Sequence, residues 1–63
     1  MIYITKLNDQ KVLINADLIE YVESTPDTVI TMTTGRKVVA KESLENIIEL
    51  TIAYKRKIFS LPL

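Results

Sequence analysis

Apolar and polar positions alternate with the period of a strand up to Ala40 and switch to the period of a helix after Ser43. Residues 2–7 place Ile2 and Ile4 on one face and Tyr3, Thr5 and Leu7 on the other. A polar turn, Asn8-Asp9-Gln10, leads to a second short strand, Lys11 to Ile14, and the two make a hairpin. Asn and Asp suit such turns because they tolerate left-handed backbone and bond their own main chain. Residues 15–18 break the alternation, and Asn15 is placed to cap a single helical turn.

The hairpin that organises the chain follows. Residues 19–24 and 28–33 predict two strands folded back around Thr25-Pro26-Asp27. Pro26, with its fixed φ and missing N–H, suits the first corner of a turn. Asp27 can accept bonds from neighbouring backbone N–H groups. Ile30 and Met32 share one face of the second strand, with Val29, Thr31 and Thr33 on the other, and Thr31, Thr33 and Thr34 read as solvent-facing. Gly35, the only glycine, stands where the chain turns into a fifth strand, residues 36–40, and a positive φ is expected there. Sequential strands joined by short turns favour antiparallel neighbours. The expected fold class is α+β and β-rich: a five-stranded, bent antiparallel meander with one C-terminal helix, in a single domain over residues 1–63.

That helix begins after Ser43, a good N-cap. Leu44, Ile47, Ile48, Thr51 and Ile52 follow the spacing of one helix face. Glu45 suits the positive end of the helix dipole, and Lys55, Arg56 and Lys57 suit the negative end. Pro62 cannot continue a helix, so it should stop by Phe59. Leu44, Ile47, Ile48 and Ile52 are expected to cover the sheet. Leu50, Tyr54, Ile58, Phe59, Leu61 and Leu63 are then in excess. They either curl into the chain's own core or form a self-association surface, for which Leu50, Tyr54, Ile58, Phe59 and Leu61 are the candidates.

Composition sharpens that choice. A chain of 63 residues buries only about 60% of the surface its unfolded form exposes. It has no cysteine to staple it, yet 48% of its residues are apolar. Oligomerisation is a common route to stability for such small domains, and a homo-oligomer is the expectation. Eight basic residues balance eight acidic ones, so no overall field draws the chain to nucleic acid or to an acidic membrane. No apolar run approaches the ~20 residues of a spanning helix, and the N-terminus lacks the pattern of a signal peptide. A cytoplasmic location is expected.

Candidate chemistry is sparse. There is no histidine, the commonest general base and metal ligand. Glu20 and Glu23, with Asp17 upstream, are the nearest approach to paired carboxylates, but an alternating strand points the two glutamates to opposite faces. Asp9, Asp17 and Asp27 lack the spacing of a calcium loop. No cofactor loop, nucleophile–base pair or metal motif is present, so no catalytic, cofactor-binding or metal residue is assigned and no enzyme is expected. Arg36, Lys37, Lys41 and Arg56 could form a basic patch if the fold unites them. Nucleic-acid binding would also need exposed aromatics or a groove-reading helix, and a solvated charged face is the simpler reading. Pro26, Asp27, Gly35 and Ser43 are assigned structural turn and cap roles.

One resemblance adds a biological setting. The opening Met1-Ile2-Tyr3-Ile4-Thr5-Lys6-Leu7-Asn8, followed by INADLIEYVESTPDTVITMTTGRKVVAKES over residues 14–43, resembles the FlbD/SwrD family of small flagellar and swarming motility proteins. The positions that carry it are Asn15, Asp17, Leu18, Ile19, Glu20, Glu23, Thr25, Pro26, Asp27, Thr28, Ile30, Met32, Gly35, Glu42 and Ser43. Met32 stands where the family more often has leucine, and Val22 where isoleucine is usual. Ser60 to Leu63 match nothing in the pattern. The resemblance implies a role in support of motor function and supplies no catalytic residue. It implies a protein of the flagellar motor, or a flagellar regulatory protein, as partner. A motor partner would bring the chain to the inner face of the membrane near the flagellar base, with membrane contact only through that partner. A regulator of flagellar genes that binds nucleic acid is the alternative. No small-molecule substrate or cofactor is expected.

Overall fold

The computed structural model describes residues 1–59. Its elements are β1 (Ile2–Thr5), β2 (Lys11–Ile14), a 3-10 turn (Ala16–Leu18), β3 (Ile19–Glu23), β4 (Thr28–Met32), β5 (Lys37–Ala40) and α1 (Leu44–Phe59). Every strand pair is antiparallel: β1 with β2, β3 with β4, and β4 with β5. The fold is α+β and β-rich, as its alternation predicts, and the five strands divide into sheets of two and three.

The division falls where Asn15 interrupts the pattern. The Asn15 side chain accepts the Asp17 N–H at 3.0 Å, and its carbonyl accepts the Leu18 N–H at 3.0 Å. The chain therefore turns a corner between β2 and β3 instead of forming a hairpin. The two sheets meet elsewhere. Lys6 bridges Ala40, the Lys41 N–H donates to the Thr5 carbonyl at 2.7 Å, and the Thr5 N–H donates to Glu42 Oε1 at 2.7 Å.

The β1–β2 and β4–β5 connections are built alike. In the first, Lys6 N–H donates to the Gln10 carbonyl (2.8 Å) and Asp9 N–H to the Lys6 carbonyl (2.9 Å). In the second, Met32 N–H donates to the Arg36 carbonyl (2.8 Å) and Gly35 N–H to the Met32 carbonyl (2.9 Å). Each is a three-residue loop whose last residue takes positive φ, 69° at Asp9 and 92° at Gly35. A Cβ on Gly35 would meet nothing within 4 Å, so the backbone angle, not crowding, requires the glycine.

Two local expectations for the central hairpin are corrected, and its Thr25–Pro26 peptide is cis. A bulge lies between Ile19 and Tyr21, so Ile19 and Val22, three residues apart, both pack against the core. That extra residue breaks the alternation that would send Glu20 and Glu23 to opposite faces. Thr31 is buried, at 4% exposure, whereas Thr33 and Thr34 are exposed. Its strand lies between two neighbours, and Thr31 sits in register with Tyr21 and Lys37, whose longer side chains flank it.

The core comprises Ile2, Ile4, Ile14, Ala16, Ile30, Met32, Ala40 and Ile47. Ile4 and Ile30, one from each sheet, are fully buried. Helix α1 lies against β1. Its start is a reciprocal cap: Asn46 N–H donates to Ser43 Oγ (3.1 Å) and Ser43 N–H to Asn46 Oδ1 (3.4 Å). The rotation of α1 about its axis differs from expectation. Ile47, Leu50 and Tyr54 pack on the core, while Ile48 and Ile52 are 53% and 46% exposed. The contact with β1 selects the stripe on which Ile47 stands, and Ile48, one residue on, is turned about 100° away.

Candidate functional site

The exposed apolar surface of α1 includes two residues, Ile48 and Ile52, that the spacing alone places inward. Ile48 and Ile52 are one turn apart, and Phe59, 80% exposed, continues their stripe. Beside it, Ala16, Ile19 and Val22 form the opposite wall of an apolar groove with Ile47, Ile48, Thr51 and Ile52. Of the candidate self-association residues, Ile58 and Phe59 are exposed, Leu50 and Tyr54 turn to the core, and Leu61 lies outside the described residues. Sequence reasoning missed Ile48 and Ile52 because two adjacent apolar stripes fit the helical period equally well.

Charge is divided along the same helix. Glu45 and Glu49 occupy its first half, and Lys55, Arg56 and Lys57 its last turns. Lys55 pairs with Asp17 of the 3-10 turn and lies 6.0 Å from the centre of the Tyr54 ring. The Lys55 hydrogen bond and charge hold the Asp17 carboxyl below its ordinary value, and Asp17 in turn raises the Lys55 ammonium. The pair ties the C-terminal half of α1 to the body of the fold, in an exposed setting where such a link is weak.

The four candidate basic residues do not form one patch. Lys41 is paired with Asp9, and Arg56 stands on the exposed side of α1. Arg36 and Lys37 are joined instead by Lys6, along a trough that also holds Leu7, Asn8, Val12, Val38 and Val39. A second stretch continues past Val12, Leu13, Ile14 and Asn15 on one wall and Met32, Thr34, Arg36 and Val38 on the other.

Glu42 is the other residue that residue-by-residue chemistry did not single out. Burial pushes its carboxyl up, but the hydrogen bond from Thr5, its own backbone N–H and the charge of Lys11 outweigh this and leave it below the ordinary glutamate value. Its only sequence signal was its place in the family pattern. Glu20, Glu23 and Asp27 are exposed. Among the described residues no group of three acidic side chains could hold a metal ion, and no helix is long and apolar enough to cross a membrane. Gly35 and Ser43 fill the turn and cap roles assigned to them, and Pro26 and Asp27 lie in the β3–β4 turn.

The geometry therefore offers two surfaces, an apolar stripe and a basic trough. The family model for FlbD, flagellar and swarming motility proteins, matches residues 1–59. No curated protein and no solved structure matches the chain.

Proposed function

The chain belongs to the FlbD family of flagellar and swarming motility proteins, and from that membership we propose that it is a non-enzymatic protein supporting flagellar motor function by binding other proteins, as a homo-oligomer. The observation that carries the reading is the Ile48–Ile52–Phe59 stripe with its neighbouring groove, apolar surface that the chain's own core does not absorb. A second copy is the occupant best matched to it. Two α1 helices paired antiparallel about Ile52 would set Glu49 of each beside Arg56 of the other. A two-fold pairing of this kind closes on itself and makes a dimer. The oligomer would then engage a flagellar motor or flagellar regulatory protein from the cytoplasm, near the base of the flagellum.

Two substitutions test the reading. Ile52→Asp and Phe59→Asp, both at exposed positions, are expected to reduce the solution mass to that of a monomer while circular dichroism stays that of the wild type. They are also expected to fail to restore swarming to a strain lacking the protein. A mass unchanged from wild type would sink the self-association, and full swarming by a folded monomeric variant would overturn its role in motility. A nucleic-acid-binding regulator is the second reading, favoured only by the grouping of Lys6, Arg36 and Lys37. It predicts binding that weakens steeply with salt, and no gel shift with mixed DNA and RNA at low salt would remove it.

A further inference from the structure

We infer that Lys6, Arg36 and Lys37 of one copy receive the acidic margin of a second copy, Glu20, Glu23 and Asp27 on β3 and its turn, in a head-to-tail contact that links oligomers into rows. The inference rests on the self-association reading above in that α1 pairing supplies the units being linked.

Charge is segregated more sharply than a net charge of zero implies. Residues 12–35 hold Asp17, Glu20, Glu23 and Asp27 and no lysine or arginine. Asp17 is paired with Lys55. Glu20, Glu23 and Asp27 are exposed and have no ion-pair partner among the described residues. β3 is the end strand of its sheet, and the bulge after Ile19 removes the alternation that would separate Glu20 from Glu23. The three carboxylates follow β3 and its turn along one margin of the molecule.

The opposite sign gathers across β4. Arg36 and Lys37 stand at the start of β5, Lys6 joins them along the trough, and no carboxylate lines it. Among the described residues none of these three cations has an ion-pair partner, whereas Lys41 is held by Asp9. The main chain on this side is already engaged, since Lys6 bridges Ala40 and the Lys41 N–H donates to Thr5. Recognition here therefore belongs to the side chains.

The occupant follows from the placement of the two surfaces. β3 and β5 flank β4, and two strand spacings hold them about 10 Å apart. Copies laid side by side in one orientation bring β3 of each beside the trough of the next. Like charges crowded on each surface repel one another, and a neighbouring copy relieves both surfaces at once. The chain itself carries both halves, three carboxylates against three cations. Such a contact is heterologous, so it repeats along a row instead of closing as the α1 pairing does. Exposed charge pairs are weak singly, so single copies stay apart on dilution. Dimers, which carry each surface twice, associate more readily.

Two charge-reversed chains test the contact, one with Arg36→Glu and Lys37→Glu, the other with Glu20→Lys and Glu23→Lys, both also carrying Ile52→Asp to remove α1 pairing. Each alone is expected to stay monomeric at NMR concentrations in low salt. Mixed, with one isotope-labelled at a time, they are expected to shift amides around residues 36–37 of the first and 20–23 of the second, with affinity at least about tenfold above that of either for itself. Salt of about 1 M, which cuts the screening length to about 3 Å, is expected to erase the shifts. No shift in the mixture, shifts on another face, or shifts indifferent to salt would overturn the inference. So would an unrelated acidic protein or a mixed-sequence oligonucleotide binding the unreversed trough of Ile52→Asp more tightly than a second copy does. Sedimentation of the wild-type chain is an independent check, with species larger than the dimer expected at low salt and absent at high salt, and an unchanged size would contradict the contact. The mixture is read without α1 pairing, so failure of the self-association reading and failure of this one are separately visible.

Discussion

Removing the Glu42 carboxylate is expected to loosen the joint between the two sheets. Glu42 Oε1 accepts the Thr5 N–H at 2.7 Å, next to the Lys6–Ala40 bridge and the 2.7 Å bond from Lys41 N–H to Thr5. A hydrogen bond to a charged acceptor contributes about 1.5–3 kcal/mol. Glu42 is only half-buried, so water competes and the lower end applies. Glu42→Ala is therefore expected to cost about 1.5 kcal/mol, a fall in Tm of roughly 6–12 °C for a domain of this size. Glu42→Gln keeps an acceptor and loses the charge, and is expected to cost about half as much. The pH dependence separates charge from packing. The folded carboxyl lies below its ordinary value of 4.5, so its stabilisation is complete above that value and is lost as pH falls through the folded value. Asp17, lowered from 3.8 foremost by its bond to Lys55, acts with the same sign. Urea denaturation of wild type and Glu42→Gln over a pH series from neutral into acid measures the effect. The gap between them is expected to narrow as the pH falls through the folded carboxyl's value, which lies below 4.5, because the protonated carboxyl resembles the amide. A Glu42→Ala variant within about 0.5 kcal/mol of wild type at neutral pH, or a Glu42→Gln gap that ignores pH, would refute the reasoning.

Two further substitutions probe the strands. Gly35→Ala is expected to destabilise by about 1 kcal/mol, since left-handed backbone costs a side chain roughly 1–2 kcal/mol, partly offset by a less flexible unfolded chain. Asp9→Gly, at the equivalent position of the other loop, is expected to be near neutral because relief of its φ of 69° is balanced by chain entropy and loss of the exposed Lys41 pair. Thermal denaturation of both variants measures the contrast, and equal effects would contradict the shared loop geometry. Thr31→Val is expected to stabilise by about 1 kcal/mol, because the buried Thr31 hydroxyl has no hydrogen-bond partner among the described residues. A loss of stability in urea denaturation would show that the hydroxyl is satisfied.

What could be read from the residues was whatever local chemistry dictates. Asn8-Asp9 and Gly35 announced both three-residue loops, because few residues accept positive φ. Ser43 announced the start of α1, and the pairs Ile2–Ile4 and Ile30–Met32 announced the core faces. Long-range packing decided the rest. The bulge at Glu20 leaves no local mark, since Ile19 to Glu23 carries neither glycine nor proline. Thr31 is covered only because two other strands bring Tyr21 and Lys37 alongside it. The helix carried two apolar stripes of similar strength, and only its seat on β1 decided that Leu50 and Tyr54 go inward while Ile48 and Ile52 stay out. The basic trough depends on a contact between residues 6 and 40, which no motif encodes. Glu42 was visible as part of a family pattern, but its bond to Thr5 was not.

The measurement that tests the central claim most directly is the solution mass of the wild-type chain by analytical ultracentrifugation across a wide range of concentrations. A multiple of the 7.2 kDa chain mass that persists on dilution is the predicted result, with the Ile48–Ile52–Phe59 stripe as the interface. A sedimenting species of 7.2 kDa at every concentration would contradict it.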